Sequence, residues 1–165
     1  MRSEPESHAV EGCIAILAES PQQFEAALSH LGEAEFGRRP APDDWSPLEV
    51  LRHVRASDLI VASRIWNWLI RPDGVHLGLD ERTYGDLLAR AGLSAADQVR
   101  AFTLRRRELV GLLLGLSNHE WTSSVQTDFG EVSMLRLAGD MASHEQEHLG
   151  QLARAVATNE TASRD

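Results

Sequence analysis

The chain has 165 residues, of which 42% are hydrophobic and 25% charged, and its formal net charge is −9. That length supports one domain with its own core, and the composition is that of an ordinary globular protein. The acidic balance argues against a non-specific nucleic-acid surface or an anionic-membrane surface, and the short run Arg105-Arg106-Arg107 does not reverse it.

The opening stretch "MRSEPESHAVEG" carries acids and a proline where a secretion signal is basic and then apolar. The chain is therefore expected to be mature and cytoplasmic. No apolar run approaches the length of a membrane span. Cys13 is the single cysteine, which cannot close an intramolecular disulfide and suits a reducing compartment; in "GCIAIL" it reads as a small buried hydrophobe.

Four or five helices follow in chain order. An extra helix is expected over about residues 9–19. The first bundle helix is expected over about residues 21–36, because Ser20-Pro21-Gln22-Gln23 has the capping-box pattern with proline at the first helical position. Ser46-Pro47-Leu48-Glu49 repeats that pattern and opens a second helix over about residues 47–70, whose apolar stripe is Val50, Leu51, Val54, Val61, Ile65, Trp68 and Leu69. Trp66 and Trp68 stand about 200° apart on that helix, so only one can face the core; the other is expected at a contact between two copies of the chain.

Ser94 begins a third helix over about residues 95–116, with Val99, Phe102, Leu109 and Leu113 on one side. A fourth, over about residues 132–157, aligns Leu137, Met141, His144, His148 and Leu152 along one face. Between the second and third lies the glycine-containing crossover "RPDGVHLGLDERTYGDLLARAGL"; "SNHEWTSSVQTDFGE" before the fourth has room for a short extended segment. With no repeats and no linker, the expectation is a single all-α bundle domain spanning residues 1–165, its core over about residues 9–157.

The fourth helix contains His144-Glu145-Gln146-Glu147-His148, an H-E-x-x-H pattern. Four helical residues rise about 6 Å and share a face. Two imidazoles so placed can meet on one ion at about 2.0–2.1 Å each, or simply bond to side chains or water. The protease reading fails for want of a third ligand: the extended motif needs glycine and histidine where this chain has Gln151 and Arg154. A di-iron site needs a second E-x-x-H, which is lacking. The remaining source is upstream. His53 lies two turns into the second helix and can face the pair if those two helices are neighbours, whereas His8, His30, His76 and His119 read as solvated.

"APDDWSPLEVLRHVRASD" and, later, "HEQEHLGQL" together resemble the DinB/YfiT-like family. The shared pattern is Trp45, Ser46, Glu49, Val50, Leu51 and His53, then His144, His148, Leu149 and Gln151, with "DFGEVSM" before the last helix; it spans about residues 20–155. The resemblance implies a four-helix bundle with a long crossover between the second and third helices. It also implies one divalent ion, zinc or nickel, held by His53, His144 and His148. Metal-dependent hydrolysis or transfer involving low-molecular-weight thiols is the implied activity, on a small-molecule substrate such as a thiol conjugate. A homodimer and no contact with nucleic acid are implied as well; the composition and the lack of a long apolar run already argue against a membrane partner.

Three neutral imidazoles leave a divalent ion its full charge and an open position, the arrangement of catalytic sites. Glu145 is then a candidate general base or partner of a metal ligand, with a solvated acid as the alternative, and Asp140, one turn before His144, is a candidate to orient that ring. Arg106, between Phe102 and Leu109, is a candidate clamp for a substrate anion or a snorkelling arginine at the bundle edge. The rival class is a non-catalytic bundle that binds a metal or small molecule.

Overall fold

A computed structural model describes residues 4–71, 79–127 and 130–162. In chain order these form α1 (Glu4–Leu28), α2 (Glu33–Phe36), α3 (Pro47–Ile70), α4 (Glu81–Arg90), α5 (Ala95–Leu114), α6 (Asn118–Thr122), β1 (Ser124–Thr127), β2 (Gly130–Ser133) and α7 (Met134–Ala162). The long helices α1, α3, α5 and α7 make a four-helix bundle. α1 packs on α5 and α7, and so does α3; α1 and α3 therefore stand on one diagonal, α5 and α7 on the other.

α3 starts where its sequence dictates. Ser46 Oγ accepts from the Glu49 amide at 3.3 Å, and Glu49 Oε2 accepts from the Ser46 amide at 2.8 Å, a reciprocal capping box with Pro47 in the first turn. Ser94 Oγ likewise accepts from the Asp97 amide to open α5.

Ser20-Pro21 does not start a helix. α1 runs straight through it and ends at Leu28, so the separate helices expected over residues 9–19 and 21–36 are one continuous helix followed by the single turn of α2. Proline at position 21 removes the amide that the Leu17 carbonyl would accept from. That carbonyl instead accepts from Arg106 Nη1 at 3.2 Å, so the missing bond is replaced from a neighbouring helix.

The crossover contains α4, which was not expected. Asp80 caps it by accepting from the Arg82 and Thr83 amides, and α4 lies against α3. The extended segment before the last helix is an antiparallel hairpin, Ser124 opposite Ser133 and Thr127 opposite Gly130, so α7 begins at Met134 rather than at 132. Gly130 has φ +110°, a conformation glycine adopts without strain.

The core divides into two apolar clusters. One gathers Cys13, Leu17, Ile65, Trp68, Leu109, Leu113, Trp121 and Met141 among others; the second gathers Phe24, Leu28, Val50, Leu51, Val54, Phe102 and Leu152. Trp68 is the inward tryptophan of its pair, and Trp66 is 45% exposed. Among the described residues no helix is long and apolar enough to cross a membrane.

Candidate metal centre

α3 brings His53 against His144 and His148 of α7. Each of the three rings offers one nitrogen, and these nitrogens all lie within 4.8 Å of one another. His53 Nε2 and His144 Nε2 are 3.0 Å apart. The ring centroids are 4.4–5.0 Å apart, and each pair of rings is tilted rather than stacked, as donors converging on one point must be.

Neighbouring side chains set the rings. Gln151 Oε1 sits 2.8 Å from His148 Nδ1; an amide oxygen only accepts, so Nδ1 carries the proton and Nε2 keeps its lone pair for the shared centre. Trp45, the residue before the α3 cap, stacks on His148 at 5.9 Å and 9° and tilts over His53 at 4.9 Å. The cap thus fixes both the tryptophan and, two turns on, the histidine it covers. Burial, followed by the proximity of His148 and His144, lowers the His53 pKa to about 4; Glu81 pulls the other way. Burial and then His148 lower that of His144. Two of the imidazoles are therefore held neutral, the form that binds metal. The residues present fit a divalent ion with imidazole ligands.

Glu81 is a site residue that the sequence reading missed. It is the first residue of α4. Its Oε2 lies 3.6 Å from His53 Nε2, and its Oε1 accepts from Ser57 Oγ at 2.6 Å. Asp80-Glu81-Arg82-Thr83 carries a cap signal that marks a helix start, but nothing local says that this start lies on α3. Beside it runs a cleft of about 600 Å³ lined by Trp45, Arg52, His53, Glu81 and Arg82 among others. A second cleft, of about 590 Å³, opens on the other side of Trp45 and is lined by Asp44, Glu147, His148, Gln151 and Arg154 among others.

The three remaining candidates go elsewhere. Arg106 and Glu145 are each 1% exposed and bonded to each other inside the bundle. Arg106 is thus not a snorkelling arginine at the bundle edge. Burial pushes the Glu145 carboxyl above the usual carboxylate range, against the pull of Arg106 and Ser20. Asp140 accepts from Arg136 at 2.7 Å in an exposed pair instead of reaching His144. His8, His30 and His119 are exposed as expected, and His76 lies outside the described residues.

Comparison with known proteins follows the same lines. A sequence model described as "DinB superfamily" matches residues 16–152. No curated protein sequence matches the chain. Among solved structures, the chain superposes with a TM-score of 0.80 at 13% identity, over 94% of this chain and 88% of the other, on a protein described as "YfiT from Bacillus subtilis is a probable metal-dependent hydrolase with an unusual four-helix bundle topology".

Proposed function

The chain belongs to the DinB superfamily, and from that membership we propose that it is a metal-dependent hydrolase of small molecules, with His53, His144 and His148 as its metal ligands. The observation that carries the reading is the convergence of three ring nitrogens from two helices within 4.8 Å. Zinc or nickel suits three imidazoles at this spacing. Bound there, such an ion supplies Lewis acidity and lowers the pKa of water at the position the rings leave open.

The chain's own groups do the rest. Gln151 holds His148 in the tautomer that presents Nε2. Trp45 covers the two rings it touches and keeps bulk water from that side. Glu81, 3.6 Å from His53 Nε2 and steadied by Ser57, is the carboxylate positioned to accept a proton from the attacking water at Oε2 and return it to the leaving group. Substrate enters by the cleft that His53, Glu81 and Arg52 line.

Elemental analysis of untagged protein tests the assignment. About one divalent ion per chain is expected in the wild type and none in His53→Ala, His144→Ala or His148→Ala. Wild-type protein free of metal, or a full complement in the variants, refutes it. The zinc- and nickel-loaded proteins are then assayed on esters, amides and thiol conjugates; absence of turnover on every class favours a binding protein.

A further inference from the structure

Between the two apolar clusters the bundle carries a polar layer. Ser20 of α1, Asp58 of α3, Arg106 of α5 and Glu145 of α7 are each 1% exposed, one from every long helix. Arg106 sits at the centre. Its Nε and Nη2 donate to Asp58 Oδ1 at 3.1 and 2.8 Å. Its Nη1 donates to Glu145 Oε2 at 2.6 Å while Nη2 donates to Glu145 Oε1, a two-pronged fork. Nη1 also reaches Ser20 Oγ and the Leu17 carbonyl that Pro21 leaves without its helical partner. Ser20 Oγ in turn donates to Glu145. The guanidinium lies 5.0 Å from the Phe102 ring centroid as well.

We propose that Arg106 is a positioning residue for the histidine centre: by gripping Asp58 and Glu145 together it sets the rotation of α3 and α7, the two helices that carry His53, His144 and His148. The proposal rests on the metal reading above.

The physical argument compares directional bonds with apolar packing. A buried ion set gives little net stability over well-packed apolar residues, because desolvation offsets the attraction. Its distinctive contribution is angular. Apolar side chains repack after a small helix rotation, but a guanidinium fork between two fixed carboxylates does not tolerate one. Glu145 is adjacent in sequence to His144, and Asp58 follows His53 by little more than one turn. A rotation of α7 by about 20° would carry a ring at a helix radius of about 5–6 Å through roughly 2 Å. That is about the length of a whole zinc–nitrogen bond. Glu145 of the H-E-x-x-H stretch is therefore bonded to Arg106 inside the bundle, where it holds its helix in phase and does not act as a base.

The test removes the grip without stranding a charge. The triple variant Arg106→Met, Asp58→Asn, Glu145→Gln is compared with wild type and with Leu113→Ala, which weakens the core outside the layer. Three readouts are taken: imidazole nitrogen resonances of the metal-free protein, the zinc dissociation constant, and the absorption spectrum of the cobalt(II) form. Scattered or broadened imidazole signals, a zinc affinity lowered at least tenfold and an altered cobalt spectrum are expected in the triple variant, with Leu113→Ala within threefold of wild type. Should the triple variant not fold, Glu145→Gln alone is read in the same way. Wild-type imidazole signals in the variants overturn the proposal, and so does an equal loss of zinc affinity in Leu113→Ala. Because the imidazole signals are read without metal, a wild type that takes up no zinc refutes the hydrolase reading alone.

Discussion

His53 Nε2 stands 3.0 Å from His144 Nε2, although 91 positions separate the two residues along the chain. Two imidazoles at that distance cannot both be charged without strong repulsion. Burial and the neighbouring rings accordingly lower the His53 pKa to about 4. An unfolded histidine takes up its proton near about pH 6.5. Between those values the unfolded chain binds more protons than the folded one, so acidification through this window destabilises the metal-free protein. Above pH 6.5 the group contributes no pH dependence. Urea midpoints of metal-free wild type and His53→Gln, taken at pH 7.0 and 4.5, isolate the effect. The wild type should lose more stability than the variant; equal losses contradict the assignment.

Glu81→Gln separates proton transfer from metal binding. Glutamine keeps the shape and can still accept from Ser57, but it cannot take a proton. Metal content should stay at the wild-type level while zinc-dependent hydrolysis of an activated ester falls by about 10²–10⁴-fold. If metal is lost along with activity, Glu81 is a ligand instead.

Gln151→Leu releases the His148 ring. With no acceptor at Nδ1 the imidazole is free to rotate or to change tautomer, and zinc affinity should weaken about 10–100-fold. Competition against a chromophoric chelator measures it. An unchanged dissociation constant would mean that Trp45 alone sets the ring.

Removing the metal should lower the melting temperature and leave the helices in place, because neither apolar cluster includes His53, His144 or His148. Free zinc at about 100 times its dissociation constant should add about 2.7 kcal/mol of stability. Circular dichroism before and after chelation tests this; complete loss of the helical signal would mark the ion as structural.

Much of the architecture was legible beforehand because it depends on local chemistry. Ser46, Pro47 and Glu49 place the start of α3 by bonds within four residues, and the 3.6-residue apolar period delimits α3, α5 and α7. The same reasoning misread Ser20-Pro21. A proline pattern that normally opens a helix is tolerated inside α1 because Arg106, on another helix, bonds the orphaned Leu17 carbonyl. No local signal reports such a remote donor. α4 was missed because it is only 10 residues long and holds Gly85, so its short stripe of Tyr84, Leu87 and Leu88, none of them buried, is a weak signal.

The candidate site divides in the same way. The residue types and the four-residue spacing of His144 and His148 place two imidazoles on one face of one helix, and the cap fixes where His53 falls on its own. Which rings meet was decided by the packing of α3 on α7, as was the approach of Glu81 from the crossover and the withdrawal of Glu145 into the bundle. Helical phase is a property of consecutive residues and can be read along the chain. The relative rotation of two helices depends on the side chains packed between and around them, among them the apolar residues of both clusters and the Arg106 guanidinium, and only the folded structure contains that information.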